Sequence, residues 1–303
     1  MTQRVERPSN PHPRAITPSR PRRAAARPRS ERASAWIYIS IVAALAIFGV
    51  PFFYVLLVAL STPSQLSDSA FALFDLSNAQ WSNFYLALTR IDFIGFARTS
   101  LLLALITGVL TTASSSLVGF AFARLRAPGQ RLLFNIVVGT MMIPAIATLI
   151  PTFVIFARLG LVGTYWPWVI WGLAGTPFLI FLFRQFFSTI PLELEEAAII
   201  DGAGWFRIYA QIFLPLARPA LLTSFLLSFT WTWGDYLAPA LLLNADNTTL
   251  AVAVAVGYLD PKGLPLVGLQ AAGAVMFLLP IVVLFLLTQK YFIGSAVGSS
   301  VKG

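Results

Sequence analysis

The chain has 303 residues, enough for one large domain or two small ones, and a net charge of +9. It is 57% hydrophobic and 11% charged, against about 45–50% and about 25% in soluble domains, which excludes a water-soluble globule. There is no cysteine, and the one histidine, His12, lies in a Pro/Arg-rich leader; disulfide scaffolds, thiolate zinc sites, iron–sulfur clusters, cysteine nucleophiles and a histidine triad inside a membrane are excluded too.

Residues 1–34 hold nine of the 21 Lys/Arg residues, all arginines, with prolines interleaved from Pro8 to Pro28. Such a stretch cannot bury enough apolar surface to offset its ordering entropy, so it reads as a disordered, basic cytoplasmic tail. The positive charge is thereby explained without a nucleic-acid partner, and docking of the tail to anionic lipid headgroups is the functional alternative. Arg22-Arg23 is followed by three alanines where a twin-arginine signal carries bulky apolar residues, and the next apolar run is too long for a cleavable signal. That run reads as a membrane span that is retained.

Six apolar runs follow, over residues 36–60, 99–123, 132–157, 159–183, 219–243 and 264–289. Each exceeds the ~20 residues that cross a bilayer core of ~30 Å as a helix. Together they contain a single charge, Asp235. Apolar and polar residues do not alternate along them, which excludes a β-barrel. The reading is an all-α, multi-pass membrane protein with six transmembrane helices over residues 35–295 and a short tail, 296–303. With the N-terminus inside, 17 Lys/Arg residues fall on the inner side and 4 on the outer; the positive-inside rule thus places both termini in the cytoplasm. In the outer segment 61–98, Trp81, Phe84, Tyr85 and Leu88 fall at the i, i+3, i+4, i+7 spacing of an amphipathic helix, expected to lie on the outer surface. Prolines inside the spans, among them Pro144, Pro151 and Pro177, are tolerated in membrane helices and read as packing bends or hinges.

The inner loop 188–218 between the fourth and fifth spans predicts two short helices and a sharp joint. Ser188 or Thr189 is expected to cap the first helix, and Pro191 suits its opening turn. Glu193, Glu195 and Glu196 crowd its first two turns, where the helix dipole favours negative charge. Asp201-Gly202 breaks it, since glycine past a helix end adopts the left-handed conformation at little cost. The second helix, about residues 204–213, is expected to stop before Pro215. Ala197, Ala198, Gly202, Ala203 and Gly204 leave room for another surface to approach.

Glu196-Ala197-Ala198, three residues, Gly202, nine residues, then Ile212-Phe213-Leu214-Pro215 resembles the EAA loop of ABC-importer permeases. Thr176-Pro177-Phe178 through Phe187, the pairs Ile143-Pro144 and Ile150-Pro151, Gly160 to Thr164, and the C-terminal residues from Gln289 resemble the carbohydrate-importer branch of that family. The resemblance covers roughly residues 36–303; it departs at Thr99 and Gly234, where that branch often carries asparagine. It implies a bacterial cytoplasmic-membrane subunit working with a second, different permease, an ATP-binding cassette ATPase dimer and an extracytoplasmic solute-binding protein. Glu196, Ala197, Ala198, Asp201, Gly202 and Ala203 would dock in a cleft of the ATPase, and Lys302 and Gly303 would reach the same dimer. The sequence holds no G-x-x-x-x-G-K-[ST] stretch to cradle ATP phosphates, so ATP and Mg²⁺ are assigned to the partner and this chain is read as a non-enzyme. The implied cargo is a mono- or oligosaccharide, with a polyol or glycerol-phosphate-type solute as the alternative.

Asp235 is costly inside a span and must face protein or water. Beside Trp231, Trp233 and Tyr236 it has the makings of a sugar-binding surface, with rings for C–H faces and an acid for hydroxyls. The same aromatics equally suit a membrane interface, with a structural or gating carboxylate. A self-sufficient secondary transporter is disfavoured by the single intramembrane carboxylate and the lack of an internal duplication. An intramembrane enzyme is disfavoured by the absence of acid–base machinery.

Overall fold

A computed structural model describes residues 35–68 and 70–300. The basic leader 1–34 and the C-terminal Lys302 and Gly303 lie outside the described residues. The chain divides into two compact units, residues 1–49 and 50–303. The division falls inside the first helix, α1 (Ala35–Leu60).

In the second unit the organising element is a 32-residue helix, preceded by the surface helix α2 (Ser82–Arg90). This long helix is α3 (Phe93–Arg124), about 48 Å at 1.5 Å per residue. It begins where the Asp92 carboxylate accepts the Gly95 N–H at 3.0 Å, satisfying one of the free donors of a helix start. Lipid gives helices no hydrophobic reason to associate, so they meet through small residues and hydroxyls. In α3 these form a buried stripe of Gly108, Thr111, Thr112, Ser115, Ser116 and Gly119.

Helices α4 (Gln130–Thr140), α5 (Ala145–Arg158), α6 (Trp166–Ala174), α7 (Pro177–Ser188), α8 (Leu192–Ile200) and α9 (Trp205–Leu216) follow, then α10 (Arg218–Trp233), α11 (Leu237–Leu242), α12 (Leu250–Val256) and α13 (Val267–Ser300). Four of these, α6, α7, α10 and α12, pack on α3. Thr112 Oγ1 lies 3.1 Å from Ser224 Oγ of α10, Ser114 Oγ donates to Gly172 O of α6 at 2.8 Å, and Ser115 Oγ accepts the Thr176 N–H at 3.1 Å. Gly119 permits the closest approach: a Cβ there would stand 2.5 Å from Cβ of Phe183 on α7.

The six expected spans are not six straight helices. Among the described residues four stretches are long and apolar enough to cross a membrane, Trp36–Leu60, Phe93–Arg124, Trp166–Ser188 and Val267–Gln289; two more candidates are bent pairs, so the count reaches six only when each pair is taken as one span. The run 132–157 is broken between α4 and α5 with a bend of 100°. Pro144 cannot donate a backbone bond there and forces the preceding residue out of helical geometry. The run 159–183 begins late: Gly160 and Gly163 carry φ of 68° and 80°, and the helix opens only at Trp166, with Pro167 in its first turn. The run 219–243 breaks after Trp233, and α9 meets α10 at 81°.

The stripe is split: Trp81, just before α2, and Tyr85 and Leu88 are exposed, Phe84 is half-buried against the core, and Asn83 and Ala87 are buried on the side that packs on α13. Asn83 Nδ2 donates to Ala59 O at 2.9 Å, and the Tyr258 hydroxyl donates to Ala87 O at 2.8 Å. The surface helix is thus tied by buried hydrogen bonds to the end of α1 and to the loop before α13.

Candidate functional site

The loop between α7 and α10 folds as a helical hairpin, α8 and α9, with the expected joint. Gly202 has φ +79°, its N–H bonds to Ile199 O at 3.0 Å, and the Ala203 N–H bonds to Ala198 O at 2.9 Å. This pair of bonds closes the free carbonyls of a helix end and fixes the chain reversal.

Two local expectations fail. Neither Ser188 nor Thr189 caps α8; their hydroxyls turn back to Arg184 O and Phe186 O in α7, and Pro191 occupies the cap position without a side-chain bond. The second helix also runs through Pro215 to Leu216. Residues Tyr209–Phe213 form a π turn, in which the Leu214 N–H bonds to Tyr209 O; the widened turn makes room for a residue that cannot donate.

The hairpin has an inner and an outer face. Ala198 and half-buried Ala203 point inward and pack with Ile190, Ile208 and Phe213. Phe120 of α3 is the centre of this packing, with ring centroids 4.9 Å from Phe213, 5.2 Å from Tyr209 and 6.0 Å from Phe187. Glu196, Ala197, Asp201 and Gly202 are exposed on the outer face. They stand among Ile199, Ile200, Trp205 and Phe206, all exposed, with Ile200 at 85% and Phe206 at 76%. The hairpin therefore presents an apolar tip edged by carboxylates.

Sequence reasoning missed the residue at the root. Arg124, counted above only as an inner positive charge, ends α3 with its side chain buried. Its Nη2 donates to Phe187 O at 2.6 Å and to Ile190 O, and its Nη1 lies 3.5 Å from Oε2 of Glu195. The guanidinium also covers the Phe213 ring, 4.9 Å from the centroid. One side chain thus gathers the end of α7, the turn, α8 and the π turn of α9. A second tie joins α9 to α3, with the Tyr209 hydroxyl 2.7 Å from Ser116 Oγ. The available signal was the spacing of Ser116, Phe120 and Arg124, which puts all three on one helical face. Glu195, expected to serve the helix dipole, is the buried partner of Arg124 while Glu193 and Glu196 are exposed.

The second candidate group does not converge. Trp233 is a core residue, 2% exposed, stacked between Phe229 and Phe277, and its indole N–H donates to Phe277 O at 3.1 Å. Trp231 lines a hollow of about 300 Å³ between α10 and α13, and Tyr236 lines another of about 560 Å³ with Asp92, Phe96 and Asn244. Asp235 accepts the Ala238 N–H at 3.3 Å in the opening turn of α11, one residue before the cap residue Tyr236. Trp233→Phe is expected to cost about 1 kcal/mol, one lost hydrogen bond, and Trp233→Ala about 3–5 kcal/mol for an emptied aromatic site. Denaturant unfolding in detergent measures both; a change of solute preference with unchanged stability would instead restore Trp233 to the solute path.

Residues 114–292 match the family model described as binding-protein-dependent transport system inner membrane component. The chain is similar to the maltodextrin transport system permease protein of Bacillus subtilis, 32% identical over 265 residues that cover 86% of this chain and 94% of that one. It is similar also to the melibiose/raffinose/stachyose import permease protein of the same organism, at 31% over 280 residues covering 91% of this chain and all of the relative (100%). The lactose transport system permease protein of Rhizobium radiobacter is 28% identical over 86% of this chain and 93% of its own. In fold it resembles a chain from a crystal structure of a bacterial ABC transporter involved in the import of the acidic polysaccharide alginate, with a TM-score of 0.72 at 24% identity, covering 87% of this chain and 98% of that one. A multi-pass helical protein whose family model spans its central and C-terminal helices, the chain belongs to the family of binding-protein-dependent transport system inner membrane components.

Proposed function

We propose that this chain is a permease subunit of an ATP-driven importer and that the α8–α9 hairpin is its docking element for an ATP-binding cassette ATPase. The observation that carries the reading is the hairpin itself: an exposed, carboxylate-edged apolar tip on a rigidly rooted base. Exposed apolar clusters of this kind mark protein contacts. With the positive-inside orientation the tip lies in the cytoplasm, where an ATPase is accessible, and both termini lie there too. Glu196, Ala197, Asp201 and Gly202 belong to the docking surface, while Ala198 and Ala203 support it from beneath; Lys302 and Gly303 are proposed as further contacts. ATP and Mg²⁺ are bound and turned over by the partner, and this chain converts closure of the ATPase dimer into access across the membrane. A second permease completes the pore, and an extracytoplasmic binding protein delivers the solute.

The proposed cargo is an oligosaccharide, supported by relatives named for maltodextrin, lactose, melibiose/raffinose/stachyose and arabinooligosaccharides. Tyr236, which lines the larger of the two hollows with polar Asp92 and Asn244, is the proposed solute contact among the four aromatic and acidic residues considered.

Gly202→Asp tests the docking role. A side chain at Gly202 meets nothing within 4 Å, and Asp tolerates the left-handed region better than most residues, so the variant carries a backbone strain that Gly202→Asn shares and adds a charge to the docking face that Gly202→Asn lacks. The variant is expected to insert normally and to lose ATPase co-purification and transport; Gly202→Asn keeps the backbone preference without the charge and serves as the control. Normal transport by the Asp variant would overturn the role. For the cargo, ATP hydrolysis by the complete transporter with its binding protein is expected to rise with oligosaccharides and not with amino acids or peptides.

A further inference from the structure

The hairpin leaves the membrane domain through α7 and returns through α10, yet its two strongest polar ties run to neither. Both run to α3: Tyr209 to Ser116, and Glu195 with Ile190 O of the turn before α8 to Arg124, which also bonds Phe187 O at the end of α7. Ser116 and Arg124 are eight residues apart, two turns and about 12 Å along one face. Two attachments at that separation resist tilting in a way that one cannot. The same helix then packs on α6, α7, α10 and α12.

The Arg124–Glu195 contact is not built chiefly for stability. Arg124 Nε and Glu195 Oε2 are buried without hydrogen-bond partners among the described residues. Buried ion pairs that are not fully hydrogen-bonded are poor stabilisers compared with apolar packing. What the planar guanidinium does supply is direction, since its donors leave in a fixed fork and its face lies on the Phe213 ring.

We propose that Arg124 is the positioning residue that makes the hairpin and α3 one lever, so that displacement of the hairpin moves α3 and, through it, the helices packed around it. Its part in transport rests on the docking role proposed above; the mechanical coupling itself does not.

The absence of native cysteine allows a direct test in the full chain. Spin labels are placed at Ile200→Cys on the hairpin tip and Leu117→Cys on an exposed position of α3, and their separation is measured by pulsed electron resonance in lipid nanodiscs. The parent is expected to give one narrow distance population. Arg124→Gln is expected to lose it, spreading into a broad or split distribution, and Arg124→Lys to recover part of the narrow component by keeping the charge without the fork. If Arg124→Gln does not fold, Glu195→Gln and Tyr209→Phe, each removing one tie, are expected to broaden the distribution separately. A distribution as narrow as the parent's in the folded Arg124→Gln or, failing that, in both single-tie variants overturns the lever. A merely stabilising Arg124 would lower yield without altering distances in the folded fraction. In the complete transporter, Arg124→Gln is expected to keep ATP hydrolysis and lose transport. If distances broaden while the parent hairpin shows no ATPase contact, the docking proposal fails and the lever stands.

Discussion

Ile200→Glu is expected to abolish coupled transport while leaving the chain folded and inserted. Ile200 is 85% exposed, and surface substitutions away from special features change stability by about 0.5 kcal/mol or less. On the proposed docking role, however, the same change places an unpaired charge at the centre of the tip, where the ATPase would have to seal out water. Central interface residues are commonly worth about 2 kcal/mol or more, and about 1.4 kcal/mol is tenfold in affinity. The ATPase affinity should therefore fall about thirtyfold or more, and Phe206→Glu should add to the loss. Titration of the ATPase onto nanodisc-embedded permease measures it, with thermal unfolding as the control. Parental affinity and transport in both variants would show that the tip is not the docking surface.

Gly119→Leu is expected to prevent assembly of the membrane domain, and Gly119→Ala to weaken it. The alanine Cβ would meet Phe183 Cβ at 2.5 Å, Arg184 N at 3.0 Å and Ile180 O at 3.1 Å. Two of these neighbours are backbone atoms, so α7 as a whole must move rather than a flexible side chain. Overpacking of this kind costs about 1–3 kcal/mol for a methyl group. The effect should be felt beyond α7, because Phe183 and Phe187 also build the hairpin's root. Unfolding in detergent and the yield of monodisperse protein measure both variants; an unchanged midpoint for Gly119→Ala would contradict the close packing of α3 on α7.

Much of this was legible in the sequence where one physical effect dominates. Length and continuity of the apolar runs located the membrane segments, since lipid demands both. The Asp201-Gly202 joint was legible because a positive φ leaves a local chemical signature. What apolarity does not encode is direction: 132–157 and 219–243 are as oily across their breaks as within their helices. Pro144 interrupts the first, and the second stops at Gly234, which caps the end of α10. The residues around Asp235 left two readings open for a related reason, because a tryptophan stacked in a core and one facing a sugar are the same residue type, and only the Phe229 and Phe277 rings place Trp233 in the core. The Arg124–Glu195 tie was hidden because it joins residues 71 positions apart. Each partner also already had a sufficient local explanation, one as a topology charge and one as a helix-dipole charge.

Of all measurements, photocrosslinking from the hairpin tip addresses the central assignment most directly. A benzophenone placed on Ile200→Cys, in native membranes and under ATP turnover, should label a Walker-motif ATPase identified by mass spectrometry, and the adduct should diminish in Gly202→Asp. Adducts confined to lipid, together with solute uptake that proceeds without any ATP-hydrolysing subunit, would contradict it.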